Sequence, residues 1–187
     1  YTNLLTSTWF NKHNVGGNTN LKPNYNYWTL FRIAKEQQKE FKTAIYSSWT
    51  DNRTVLIGEG KKETNFLKID YVKDGYESDT VNFPPKRNDL HIFDIDEHVS
   101  KEAAKSIRTD APDLSWVYLW FTDDAGHSSR NGKFFDEYVL KADQQIGRAI
   151  AAKRIEREAR EIALAQERVN AFGVARLGIR PRGSGRG

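Results

Sequence analysis

The sequence predicts an α/β fold, a sheet with helices on its faces. Three observations lead there. Residues 115–121 (SWVYLWF) form a short, apolar, aromatic and β-branched run that reads as a strand buried on both faces. Residues 43–49 (TAIYSSW) read as a second short strand. Segments with helical periodicity lie before, between and after them, the alternation that builds layered α/β domains.

In chain order, residues 1–27 are rich in Asn, Thr and Gly, and Asn14-Val15-Gly16-Gly17-Asn18 reads as a loop because Asn and Gly tolerate positive φ. Residues 28–41 place Trp28, Leu30, Phe31, Ile33 and Ala34 before a polar Lys/Glu/Gln stretch, which predicts a helix. Val55-Leu56-Ile57 is a brief apolar run ended by Gly58. Residues 66–72 alternate, Asp74-Gly75 is a turn dipeptide and residues 76–83 resume, so a β-hairpin insertion closed by Pro84-Pro85 is expected. Asp94 or Asp96 is placed to cap a helix through Val99, Ala103, Ala104 and Ile107, ended by Ala111-Pro112. After the second strand, residues 122–132 read as a loop. Residues 134–150 then carry Phe135, Tyr138, Val139, Ala142, Ile146 and Ile150 on one side, an amphipathic helix.

Composition excludes several chemistries. The 187 residues contain no Cys, which removes disulfides, Cys-ligated zinc and cysteine nucleophiles. No apolar run approaches the roughly 20 residues that span a bilayer. The chain opens at Tyr1 and has no Met, which suggests a processed or partial chain.

The net charge of +4 averages two unlike parts. Residues 1–147 hold 19 Lys+Arg against 21 Asp+Glu, giving −2; residues 148–187 hold 10 against 4, giving +6. Residues 1–150 are therefore read as the domain and 151–187 as a basic tail, helical over 149–169 by propensity and disordered from Gly173. Ile155, Ile162, Leu164 and Val169 give the tail helix only a sparse apolar stripe.

The candidate chemistry lies in Tyr118-Leu-Trp-Phe-Thr-Asp-Asp-Ala-Gly-His127. Asp123 follows a strand, and His127 comes four residues later across Gly126. Ligands of open α/β sheets bind outside the carboxyl ends of strands. A carboxylate and an imidazole there can converge on a borderline cation such as zinc. Asp124 beside them reads as a solvated loop acid. His13 reads as a hydrogen-bonding loop residue, His91 and His98 as surface residues, and Asn52-Arg53-Thr54 fits a glycosylation sequon.

Residues 113–127, with Asp123-Asp-Ala-Gly-His127 at their end, resemble the strand and metal loop of the nucleotide pyrophosphatase/phosphodiesterase family of the alkaline phosphatase superfamily. Asp143-Gln-Gln-Ile-Gly147 matches the family's following helix. Residues 3–15, continuing to Asn18 and Pro23, resemble a second family stretch, with Ser7 and Asn14 standing where the family commonly has Gly. Arg130 is a third such departure. The resemblance covers residues 3–150.

It implies an alkaline-phosphatase-like sheet, incomplete here, and hydrolysis of phosphodiester or pyrophosphate bonds with two zinc ions. Asp123 and His127 match ligands of one ion, and Asn18 matches an amide donor to the substrate phosphate. The family nucleophile would lie before Tyr1, and nothing after Ile150 supplies the second ion's Asp-His pair, so this chain alone is expected to hold at most one partial zinc site and to be nearly inactive. The implied partner is a phosphate-ester or nucleotide substrate, and the implied location is extracellular, periplasmic or membrane-anchored. A sulfatase or phosphonate hydrolase of the same superfamily is a variant of this reading. The alternative from another class is a non-catalytic protein whose Arg/Gly-rich tail contacts nucleic acid, which the abrupt change of composition near Ile150 disfavours.

Overall fold

The computed structural model describes residues 1–128 and 132–177. Three parallel strands form an open sheet in the order β2-β1-β3, with β1 at Thr43–Ser47, β2 at Tyr71–Lys73 and β3 at Leu114–Tyr118. The central strand is β1, and all five of its residues are buried. Its β-branched and aromatic residues divide between the faces by the two-residue period. Ala44 and Tyr46 enter a core with Ile95, Val99, Phe121 and Ala152. Ile45 enters the opposite core with Leu5, Phe31, Leu56 and Ile69.

Helices accordingly cover both faces. On the Ile45 side are α1 (Thr2–Thr6), α3 (Leu30–Gln37) and a π-helical turn at Asn52–Ile57; α2 (Phe10–His13) packs on α1. On the other side are α4 (Leu90–Thr109), α5 (Phe121–Ser128) and α6 (Lys133–Leu177). Helix α3 starts where Thr29 accepts a hydrogen bond from Arg32 N–H. The π turn ends at Gly58, whose φ of 76° suits glycine and whose missing Cβ leaves room for the Tyr25 ring.

Several expectations are corrected. No hairpin forms over residues 66–83. Tyr71–Lys73 pairs with β1 in parallel, and Tyr76–Ser78 is a 3₁₀ turn. Gly75 does turn the chain, with φ 88°, but the residues after it pack against α4 instead of returning along β2. Strand β3 is an edge strand with Ser115 exposed, whereas burial on both faces belongs to β1. Helix α4 begins at Leu90, so Asp94 and Asp96 lie inside it and Asp89 takes the cap position. Residues 121–128 are helical where a loop was expected. Asn52 is fully buried and donates to Ser47 Oγ at 2.9 Å, so the sequon is inaccessible in the folded chain.

Helix α6 crosses position 150 without a break. Residues 173–177, expected to be disordered, are helical, and 178–187 lie outside the described residues. Beyond Ile150 the helix still grips the domain. Ala152 is fully buried, Lys153 donates to Pro112 O at 3.2 Å and Arg160 to Ala111 O at 2.7 Å. Both cations flank the buried Glu156, which ion-pairs with each. The α4–β3 turn, where Ala111 adopts φ 49°, is thereby clamped from outside.

Glu156→Ala removes the shared acceptor of both ion pairs but leaves Lys153 and Arg160 half exposed to water, so it is expected to lower unfolding free energy by about 1–2 kcal/mol, while the exposed Glu158→Ala stays within about 0.5 kcal/mol. Urea denaturation of both variants measures the difference.

Candidate functional site

Parallel strands end on one edge of the sheet, and the site is built there. After Tyr118 the chain needs only Leu119 and Trp120 to turn into α5. A helix start exposes backbone N–H groups without intrahelical partners. The first N–H of α5, and the one just before it, are met from a distance by Asp96 of α4. Trp120 N–H donates to Asp96 Oδ1 at 2.9 Å and Phe121 N–H to Oδ2 at 2.8 Å. The Ser48 hydroxyl, just past β1, donates to the same Oδ1, and Ser48 N–H donates to Tyr118 O at 3.2 Å. One carboxylate thus ties together the ends of β1 and β3, the middle of α4 and the start of α5.

Asp96 is 2% exposed. Burial pushes its carboxyl up to about 6, against the pull of the three donors, and the nearby Asp124 charge adds to the rise. Asp124 is itself raised, by burial and then by the charges of Asp89 and Asp123.

Helix α5 then presents the predicted pair. Asp123 and His127 stand one helical turn apart, with Oδ2 and Nε2 3.6 Å from each other. Their side chains are 53% and 80% exposed. The expected loop geometry is corrected. The two side chains converge because four-residue spacing aligns them on a helix, not because Gly126 turns the backbone. Gly126 is helical, and a Cβ there would meet the Phe135 ring at 3.5 Å, an ordinary contact. Among the described residues no cluster of three or more His, Asp or Glu side chains is placed to hold a metal. The pair supplies two donors, an oxygen and a nitrogen that suit zinc.

Asp123, His127, Thr122 and Gly126 form one wall of a cleft of about 730 Å³, faced by Tyr1, Trp116, Tyr118, Phe135, Ala142 and Ile146. Asn18 is exposed and lines a neighbouring recess of about 200 Å³ with Gly16, Gly17, Asn3 and Trp49. Tyr1 lines both, its ring edge-on to Tyr118 at 4.8 Å and its hydroxyl 3.1 Å from that of Tyr118. The structure therefore brings Asn18 and the Asp123–His127 pair to adjoining recesses, with Tyr1 between them.

His13 is 1% exposed. Its Nδ1 accepts Val15 N–H at 3.1 Å, which leaves Nε2–H to donate to Asn3 Oδ1 at 2.5 Å. Burial and the N-terminal charge hold its pKa below the ordinary value. It is a neutral residue that fixes the loop carrying Asn18. His91 and His98 are partly buried on α4, with His98 edge-on to Tyr76 and Phe83. Of the basic residues after Gly147, Arg148 pairs with Glu97, Lys153 with Glu156, and Arg160 with Glu156 and Asp113.

Sequence reading missed the roles of Asp96, Ser48 and Tyr1. A signal for Asp96 was present: it sits within the stripe Ile92, Ile95, Val99, Ala103, where an acid on an apolar helix face needs a buried partner. Comparisons with protein-family models, with curated proteins and with solved structures returned no match.

Two outcomes follow. Asp96 is expected to titrate near pH 6 by carboxyl NMR. Its folded pKa lies above the unfolded value near 3.9. The stability it contributes is thus fully present below about pH 4 and lost as pH rises through about 6. A pH series of urea melts should show this slope in the native chain and lack it in Asp96→Asn. Ser7, at φ 54°, pays for a left-handed backbone, so Ser7→Gly should raise stability by about 1 kcal/mol. Asn14→Gly, at φ 61°, gains less, because the Asn14 side chain donates to Lys22 O at 2.8 Å. Thermal melts rank the two variants.

Proposed function

We propose that this chain carries part of the machinery of a metal-dependent phosphodiesterase or nucleotide pyrophosphatase of the alkaline phosphatase type. The observation that carries the reading is the approach of Asp123 and His127 to 3.6 Å beside a cleft at the carboxyl end of a parallel sheet. A second observation supports it. Ser7 and Asn14, where the resembled family commonly has Gly, both adopt the left-handed backbone that glycine favours. Arg130, the third departure, lies outside the described residues.

In this reading Asp123 and His127 hold one zinc ion, with His127 neutral and Asp123 ionised. A bound zinc ion supplies Lewis-acid polarisation of a phosphoryl oxygen. The chain's own residues do the rest of what is present here. Helix α5 fixes the spacing of the two donors. The Asn18 amide, held on the loop that His13 braces, offers N–H groups to a phosphate reaching from the cleft across Tyr1. Asp123 and His127 alone make a weak site, because catalytic zinc normally takes three protein ligands. The chain by itself is accordingly expected to bind zinc weakly and to leave aryl phosphodiesters uncleaved.

Zinc titration followed by NMR of the imidazole signals tests this. Zinc should shift the His127 ring signals and leave those of the buried His13 in place. Asp123→Asn should weaken the effect at least about tenfold, as loss of one of two ligands requires. An unmoved His127, or an unchanged response in Asp123→Asn, would overturn the assignment. Zinc-dependent cleavage of bis(p-nitrophenyl) phosphate by the purified chain would contradict the view that the machinery is partial.

A further inference from the structure

Helix α6 carries two apolar faces. One is buried in the core with α4 through Tyr138, Ala149 and Ala152. The other runs through Phe135, Val139, Ala142, Ile146 and Ile150, spaced by four, three, four and four residues, which sets them in one row along the helix. The core does not use this row, for Phe135 is 38% exposed and Ile146 48%.

The row faces a slot. Helix α6 returns along β3 in the opposite direction. Phe135 lies against Gly126, past the end of the strand, whereas Lys153 and Arg160 reach Pro112 O and Ala111 O, before its start. Between these points Trp116, Val117 and Leu119 line one side of the cleft, and Phe135, Ala142 and Ile146 line the other. From Phe135 to Ile146 the helix rises about 16 Å.

The slot has its charged groups at one end. Asp123 and His127 stand at the Phe135 end, where a Cβ on Gly126 would meet the Phe135 ring at 3.5 Å. Elsewhere the walls offer little hydrogen bonding. The Tyr118 hydroxyl donates to that of Tyr1 at 3.1 Å, and no Lys, Arg, Asn or Gln is among the described residues that line the cleft. A nucleobase is recognised through hydrogen bonds to its edge, and a second phosphate through a cation. An alkyl tail needs neither; it needs a long apolar surface to leave water on.

We propose that the slot holds one unbranched alkyl tail, and that the substrate at the Asp123–His127 end is a phosphodiester bearing that tail. The phosphate half of this statement rests on the zinc reading given above, whereas the tail half rests on the slot alone. The layout matches such an amphiphile: a charged head beside the pair, and a tail between β3 and α6.

Two kinds of probe keep the halves apart. NMR titration of the full chain with hexanol, octanol and decanol, without zinc, reads the slot. Affinity should rise about threefold to fourfold for each added methylene, with the shifts centred on residues 116–119, Phe135, Ala142 and Ile146. Ala142→Trp fills the slot and Ile146→Asp charges it. Each should weaken decanol binding at least about tenfold, and neither residue belongs to the buried core, so circular dichroism should not change. Ile162→Asp, farther along the same helix, should leave decanol binding as it is. Methyl octyl phosphate reads the joined statement: zinc should tighten its binding and leave that of octanol unchanged. An affinity that does not climb with tail length, or that is the same in both slot variants, overturns the proposal. So does thymidine methyl phosphate binding more tightly than methyl octyl phosphate in the presence of zinc, which would give the cleft to a base. A zinc effect missing from methyl octyl phosphate, with the alkanol series and variant losses intact, overturns the zinc reading and the phosphate half while the alkyl slot stands.

Discussion

The Asp96 carboxylate is the contact on which the carboxyl-end architecture depends. Helix α5 has only eight residues, too few to be stable alone in water. Asp96 provides the acceptors that Trp120 and Phe121 lack and holds Ser48 in the same grip, so the two strand ends and the helix start cannot move independently. An unsatisfied N–H at this depth would cost about 1–3 kcal/mol each. That cost is set against the expense of burying a carboxyl group, which shows as its pKa of about 6. Position and titration are two faces of one arrangement.

Function, in the reading offered here, is inherited from that arrangement. A parallel sheet gathers its strand ends on one edge, and a short turn from β3 into α5 puts two possible metal donors on that edge with fixed spacing. The donors are exposed and approach without any local strain, since helical periodicity alone aligns them. Rigidity therefore comes from below, through Asp96 and the aromatic packing of Phe121 against Tyr138 and Phe93. Asn18 reaches the same end of the molecule by another route, on a loop whose shape depends on the buried, neutral His13.

The strands were legible because their composition is local and extreme. TAIYSSW and SWVYLWF are aromatic and β-branched, and each holds a strand, Thr43–Ser47 and Leu114–Tyr118, although the second reading overruns into Phe121, which opens α5. Which of them is central was not legible, because that depends on pairing partners rather than on composition. Asp74-Gly75 was read as a hairpin turn, and the chain does turn there. Turn chemistry does not choose the strand's partner, however, and the Asp70 carboxylate, accepting from Thr43 N–H at 2.7 Å, leads β2 alongside β1 instead. The segment 121–128 looked like a loop because Thr-Asp-Asp-Ala-Gly-His offers little apolar periodicity. Its helix is capped by a residue 25 positions earlier in sequence, which no local pattern reveals. The Asp123–His127 pair is singled out by its spacing together with the family resemblance, and the two side chains approach to 3.6 Å on a helix face rather than on a bent loop. The charge shift near residue 148 marked a change in composition but not in secondary structure, since Ala152, Lys153 and Arg160 continue the contacts of α6.

Amide hydrogen exchange at Trp120 and Phe121 tests the capping role of Asp96 most directly. In the native chain both amides should exchange far more slowly than exposed backbone. In Asp96→Ala they should lose that protection together with the rest of α5, while the amides of β1 that bond to β3 keep theirs. Rapid exchange at Trp120 and Phe121 in the native chain, or protection undiminished in Asp96→Ala, would contradict the view that this one carboxylate holds the site in place.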